Sequence, residues 1–416
     1  MQPARSRRHF LKTASLGAAA VSVTATSYAK VVGANERISI GVIGCGGRGY
    51  GAHMPGVHAH AQTQNIEITA VSDPWRQRRE RAAAKTAEWY GRPARQFVSY
   101  REVLDQGDVD AVMIASCDHQ HTTHLEAAAK ANKDVYCEKP LAMDFEKLKR
   151  AVDATKAAGL VCQIGTQIRS LPTTTACREV YLAGLVGKVS RIEQHRNSTK
   201  PYWYSRLAEV NPADVAWDEF LLDAPPQPFN AGKFSAWYGY RDFSDGPIPG
   251  LGSHFIDLVH YITGAKFPTS AVAQSGTFTW IDEHQFTCPD QVEATWIYPE
   301  GFMVSYTTNF GNSYGNRISF MGQTGTLHLT PWTAPSISSE GAGKPSKLPR
   351  EAEKVEPIDT PDHFLDWLQC IRSRGTCRAP IEAGYQHAVA VIMAVRASDT
   401  GRRQLYDPEK REIREG

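Results

Sequence analysis

The stretch Arg37–Gly51, RISIGVIGCGGRGYG, decides how the rest of the chain is read. Ile38–Ile43 is apolar apart from Ser39 and Gly41, which suits a strand buried on both faces inside a parallel sheet. It runs straight into Gly44-Cys45-Gly46-Gly47-Arg48-Gly49, a match to G-x-G-x-x-G. In that pattern Gly44 permits the turn out of the strand, and Gly46 lets a pyrophosphate sit against bare backbone. Gly49 lets the next helix pack close, with its N-terminus facing the phosphates. Gly47 and Arg48 belong to the same turn and are expected at the cofactor. The run Ile66–Asp73 then alternates as a strand and ends in an acidic residue, where a dinucleotide's ribose is held. Asp73 would repel a 2′-phosphate, which favours NAD. Arg76, Arg78 and Arg79 are close enough in sequence to turn towards such a phosphate, so NADP stays open.

Outward from this stretch, 416 residues are too many for one core, and two domains are expected. A hydrophobic content of 42%, a charged content of 22% and a net charge of +2 give no electrostatic case for nucleic acid. The eight cysteines include no C-x-x-C pair, so neither a zinc site nor a disulfide framework is expected. Cys45, Cys117, Cys137 and Cys162 lie in or beside apolar runs, as small buried thiols do. At the N-terminus, Arg7 and Arg8 precede a modestly apolar stretch that ends in Ser27-Tyr28-Ala29. This resembles a twin-arginine export signal over residues 1–29, which implies a periplasmic protein. The apolar part is too short and too rich in Thr and Ser to span a membrane.

Between residues 36 and 165, apolar strand-like runs alternate with helical ones. These are Ile38–Ile43, Ile66–Ser72, Phe97–Tyr100, Asp110–Ala115, Asp134–Cys137 and Leu160–Ile164. That spacing argues for a doubly wound parallel sheet of the Rossmann kind, with ligands at the carboxyl ends of the strands. Ser116, His119 and His121 fall at one such end, Glu138-Lys139-Pro140 at another, and Gln167 after a third. His119, His121 and His124 lack the carboxylates a metal site needs, apart from Asp118, so they are read as capping a helix and lining the cofactor cleft. Lys139, beside a bound nicotinamide, would stabilise a developing alkoxide during hydride transfer.

From Lys188 the pattern changes to alternating runs with a hairpin signal at Gly301. An α+β domain over 166–385 is expected, with a large, mainly antiparallel sheet, followed by a C-terminal helix and tail over 386–416. Residues 335–349 read as a mobile loop. An aromatic insert holds Pro201-Tyr202-Trp203-Tyr204 and Trp237-Tyr238-Gly239-Tyr240-Arg241. It reads either as a sugar-binding wall or as packing beneath a long loop. Arg196, Asn197 and Arg241 are candidate hydroxyl-binding groups beside Trp237 and Tyr238.

On G-x-G-x-x-G, His119-x-His121, Lys133-Asp134-Val135 and Glu138-Lys139-Pro140, the chain resembles the Gfo/Idh/MocA oxidoreductases nearly end to end. The resemblance implies that Lys139 is catalytic beside the nicotinamide, that Glu138 contacts the nicotinamide-side ribose, and that His121 lies near the cofactor. It also aligns Gly250-Leu251-Gly252-Ser253-His254-Phe255-Ile256-Asp257 with a D-x-G-x-H-x-x-D pattern. His254, and Asp257 one helical turn on, match; Gly250 stands where the pattern has its first Asp. His254 is then the acid/base, with Asp257 placed to hydrogen-bond it. The function implied is oxidation of a sugar or glycoside hydroxyl by a tightly held nicotinamide cofactor. The alternatives are a redox-neutral glycosidase or lyase working through a transient 3-keto intermediate, and a sugar-binding protein without catalysis. A dimer or tetramer is expected, because an open antiparallel sheet usually takes a partner.

Overall fold

The computed structural model describes residues 37–341 and 351–416. The twin-arginine segment, and residues 342–350 of the loop expected after Pro335, lie outside the described residues.

The first sheet holds β1 (Ile38–Ile43), β2 (Ile66–Ser72), β3 (Arg95–Phe97), β4 (Ala111–Ile114), β5 (Asp134–Cys137) and β6 (Cys162–Ile164). Its order is β3-β2-β1-β4-β5-β6, and every pairing is parallel. All six residues of β1 are buried, as its apolar run requires. Helices α1 (Arg76–Tyr90), α2 (His121–Lys130) and α3 (Phe145–Ala157) provide crossovers. Asp144 caps α3 by accepting from the Lys147 N–H, and Gly159 follows at φ +61°. Winding reverses between β1 and β4, which opens a crevice at the strands' carboxyl ends. One boundary differs from the sequence reading. Ser99 and Glu102 form a reciprocal capping box, so a helix starts at Tyr100 where a strand over 97–100 was expected.

The second sheet holds β7 (Val189–His195), β8 (Ser270–Gly276), β9 (Gln291–Tyr298), β10 (Phe302–Asn309) and β11 (Arg317–Gly322). It continues with β12 (Thr326–His328), β13 (Ser336–Ser338), β14 (Glu353–Lys354), β15 (Gln404–Asp407) and β16 (Glu412–Glu415). The order is β14-β13-β12-β11-β7-β10-β9-β8-β15-β16, antiparallel except where β10 runs beside β7. Gly301, at φ +89°, makes the β9–β10 turn. Helices α4 (Pro172–Leu182) and α5 (Pro247–Thr263) cover the inner face of this sheet together with α7 below. α6 (His363–Ser373) packs instead on the first domain, with Trp367 and Leu368 joining the cluster of Ile40, Val42 and Tyr136.

The C-terminal part departs from the sequence reading. Helix α7 (Ile381–Thr400) begins before residue 386 and is buried around nearly its whole circumference. A Cβ on Gly384 would come within 2.8 Å of Ile164 and Leu141, while the Ala390 carbonyl accepts from Trp296 Nε1 at 2.8 Å. The helix therefore sits between the two domains, and the residues after it form β15 and β16 at the large sheet's edge, with β15 against β8. Ser336–Ser338, read as loop, is strand β13 between β12 and β14. No helix among the described residues is long and apolar enough to cross a membrane. All eight cysteines are free and buried.

Candidate active site

A cleft of about 480 Å³ follows the β1/β4 crevice and is roofed by the first turns of α5 and by the aromatic insert. At one end lies the glycine turn. Gly44 has φ +92°, and a Cβ there would sit 2.6 Å from the Ala115 carbonyl. A Cβ on Gly49 would meet the Gly44 oxygen at 2.0 Å, so only glycine lets the following turn close on the strand. Over Gly46 and Gly47 the nearest atoms are guanidinium nitrogens, of Arg78 at 3.5 Å and of Arg206 at 3.1 Å from the built Cβ positions. Backbone N–H groups faced by two guanidinium groups are a donor set suited to a pyrophosphate.

Asp73 is 3% exposed, and its carboxylate accepts from the Cys45 N–H at 2.8 Å and the Trp75 N–H at 2.9 Å. It thus shapes the turn as well as lining the cleft. Of the three arginines that follow, Arg76 pairs with Asp214, Arg79 donates to the Asp73 carbonyl, and Arg78 alone lines the cleft.

At the other end stands Glu138-Lys139-Pro140. Glu138 is buried, and its Oε1 accepts from Arg48 Nε (2.9 Å), His53 Nε2 (2.8 Å) and Gln167 Nε2 (2.6 Å). A wide turn over Gly49–His53 directs His53 inwards to make this contact. Burial alone would raise the Glu138 carboxyl; the His53 hydrogen bond and the Arg48 charge overcome it and hold the group well below the usual range. Gln167, expected at the cofactor, lies behind Glu138 and also reaches the Tyr136 hydroxyl, outside the cleft lining.

Lys139 Nζ donates to the Gly250 carbonyl at 2.8 Å, which ties the end of β5 to the first turns of α5. Burial lowers the Lys139 ammonium from its ordinary value, while Glu138 and Asp118 oppose that shift. His254 faces the same space, and its Nδ1 is buried with no hydrogen-bond partner. Burial first, and then the Lys139 charge, hold the imidazole well below its ordinary value, so it is neutral. Asp257 does not orient it. Its carboxylate forms a two-pronged pair with Arg169, at 3.0 Å to Nε and 2.5 Å to Nη2, because α5 turns that residue away from the cleft into the core.

His121 lines the cleft with Nδ1 2.7 Å from the Pro140 carbonyl and Nε2 3.1 Å from that of Ser116. Ser116 Oγ bonds His124 Nδ1. His119 is a correction. Its Nε2 meets the Phe220 carbonyl at 3.0 Å and its ring packs against Phe220 and Phe243, outside the lining. It anchors the insert rather than a cofactor. Asp118 does line the cleft; burial pushes its carboxyl up to about 7, against Lys139 and the Ser244 hydroxyl.

Trp237 and Tyr238 form part of the wall, stacked on each other at 3.6 Å. The three polar residues expected beside them are elsewhere. Arg196 is exposed at the end of β7, and Asn197 bridges loops through Tyr314, Asn309 and Asn316. Arg241 pairs with Asp245 and Asp399. Their alternating register carried no information about which way the insert folds. Tyr202 and Arg206, from a short 3-10 helix of that insert, line the cleft instead. The insert docks on the first domain through a Trp75–Val215 bridge and two side-chain bonds to the Phe220 carbonyl, none of which sequence spacing reveals. Asp366, Cys370 and Cys377 bring ligand-type atoms within 4.8 Å of one another, but away from the cleft, and the Asp366 carboxylate already accepts from Gln163 and Arg378.

A doubly wound sheet with a glycine turn at its crevice, joined to a domain that closes over it, defines a two-domain dinucleotide-binding oxidoreductase. The first domain matches the Gfo/Idh/MocA oxidoreductase family's NAD-binding Rossmann fold over residues 38–166. The second matches that family's C-terminal alpha/beta domain over residues 218–405. The chain belongs to this family. It is 33% identical to inositol 2-dehydrogenase 2 of Saccharopolyspora erythraea, over 74% of this chain and 78% of that protein. It is 26% identical to the rhizopine catabolism protein MocA of Rhizobium meliloti, over 58% of this chain and 62% of that protein. A levoglucosan dehydrogenase solved with NADH and levoglucosan superposes with a TM-score of 0.68 at 16% identity, over 88% of this chain and 98% of that one. At that identity the likeness shows the fold alone.

Proposed function

We propose that the protein oxidises a hydroxyl of a sugar or cyclic polyol with NAD. The observation that carries this is the bond from Lys139 Nζ to the Gly250 carbonyl, which places an ammonium and the neutral His254 imidazole on one cleft floor with the glycine turn. A bound nicotinamide supplies the hydride acceptor. Lys139 holds the substrate oxygen and stabilises the negative charge it gains as its carbon loses hydride. His254 takes the hydroxyl proton, for which a neutral imidazole with an unpartnered nitrogen is ready. Glu138, ionised and anchored by three donors, opposes the loss of charge that burial favours at Lys139 and fixes the strand end. The inositol and levoglucosan dehydrogenases named above support the substrate class.

Lys139→Ala is expected to lower NADH formation from the best substrate of a panel of inositols, levoglucosan and hexoses by about 10²–10⁴-fold. NADH affinity should stay within about threefold of wild type, as the substituted group lies at the far end from the glycine turn. Equal turnover in the two proteins would refute the assignment.

The paired arginines Arg7 and Arg8 support a second proposal, that the folded protein is exported with its cofactor in place and recycles it between an oxidised and a reduced sugar. Nicotinamide dinucleotide released on denaturing the protein isolated from the periplasm should be near-stoichiometric; an empty protein would sink that reading. Exposed Val272, Ile297 and Met303 on the outer face of the large sheet support contact between copies of the chain. Light scattering that gave a monomer mass would rule this out.

A further inference from the structure

Gly250 has no side chain, and the place where its Cβ would stand is taken. The Tyr202 hydroxyl lies 2.4 Å from that position, with the ring carbon behind it at 3.5 Å. That hydroxyl is buried, has no hydrogen-bond partner in the protein, and belongs to a residue lining the cleft. Its ring is clamped edge-on against Trp203 at 5.2 Å, Tyr238 at 5.4 Å and Phe310 at 5.9 Å. Trp203 and Phe310 are themselves buried, so the phenol has little room to swing towards a protein acceptor.

A buried hydroxyl without a partner is costly, and native structures keep one mainly where something else completes it. Here it sits beside Gly250, whose carbonyl holds the Lys139 ammonium, on the helix turn before His254. We propose that Tyr202 binds a substrate hydroxyl at the reacting end of the cleft, its phenol filling the side-chain space of Gly250 so that Tyr202, Lys139 and His254 surround the carbinol. This deepens the polyol-oxidation reading and rests on it. Burial raises the phenol well above its ordinary value, with Asp118 and Tyr238 adding to the shift. Tyr202 is therefore neutral and both donates and accepts, which suits a hydroxyl better than a carboxylate or phosphate. The aromatic insert thus supplies a polar group to the site in addition to its Trp237–Tyr238 wall.

The test uses the NAD-loaded protein, with myo-inositol, levoglucosan and glucose as probes in calorimetric titration. Tyr202→Phe keeps the ring and removes only the hydroxyl. It is expected to weaken binding of the best probe at least tenfold and leave NAD affinity unchanged. It should also raise the melting temperature of the ligand-free protein by about a degree or more, because an unsatisfied buried group is gone. A tyrosine that merely packs would show no such opposition between stability and binding. Gly250→Ala, whose methyl evicts the hydroxyl, should weaken probe binding comparably in wild type and add nothing in the Tyr202→Phe protein. Equal probe affinity in wild type and Tyr202→Phe overturns this inference alone. A wild-type protein that takes up NAD and binds none of the probes overturns the polyol reading, and this inference with it.

Discussion

Asp118 sits just beyond the carboxyl end of β4 with one oxygen accepting from the Ser244 hydroxyl at 2.9 Å. The charged or titratable groups felt by its carboxyl are Lys139, Asp245 and Glu138, and it acts in turn on Tyr202 and Tyr238. In the fold the carboxyl keeps its proton up to a pH of about 7, whereas an unfolded aspartate releases it near about 4. The fold binds the extra proton between those values, so this residue's contribution to stability is lost as pH rises through the window. Asp118→Asn is expected to remove that dependence. From about pH 5 to pH 8 the wild-type melting temperature should fall relative to the variant's, and parallel curves would refute the assignment. At this scale the position of a residue was legible where it falls at a strand end, as for Lys139, Glu138 and Asp73, which all line the cleft. The sequence misled where a residue's direction depends on distant packing. Asp257 has the right spacing to reach His254, yet Arg169, from the turn after β6, captures it. Nothing local to either residue announces that pair.

The glycine turn is the element whose reading transferred best, because each glycine answers a steric demand of the backbone itself. Gly49→Ala puts a methyl 2.0 Å from the Gly44 oxygen, a contact that cannot be relieved without opening the turn. NAD affinity should drop at least about tenfold and the protein should lose about 1–3 kcal/mol of stability, read by titration and by denaturant midpoint. Wild-type affinity in that variant would mean the turn is not where the phosphates bind. Strands β1, β4 and β5 were equally legible, since burial on both faces writes itself as a mostly apolar run, and β2 showed as an alternating one. The insert was not. Its aromatic residues serve two ends: Trp217, Phe234 and Phe243 pack in a core of their own, Tyr202 and Tyr238 face the cleft, and Phe220 and Trp237 belong to both. Composition cannot separate a ring that packs from one that lines a wall.

Across the whole molecule, the two sheets share one continuous apolar cluster, in which α7 touches Ile164 and Leu141 on one side and Trp296 on the other. The limit expected between residues 165 and 166 therefore marks where one sheet gives way to the other rather than where packing stops. Ending the chain after Thr400 would remove β15 and β16 and bare the edge of β8. That truncation is expected to lower the melting temperature by several degrees and to increase aggregation on size-exclusion chromatography, since an unpaired edge invites other strands. A truncated chain as stable and monodisperse as the full one would show the edge strands to be dispensable.

Helix α7 leaves the ribosome after strands β1 to β14, yet it lies between the two sheets. While the chain is still being translated, the first sheet can form from its own strands, but the larger sheet must wait with its inner face uncovered. Folding of the second domain is thus timed by the emergence of α7 rather than of its own central strands. A premature stop before α7 would release a molecule with an intact cofactor turn and an open hydrophobic seam, a form that quality-control proteases would meet before any substrate did.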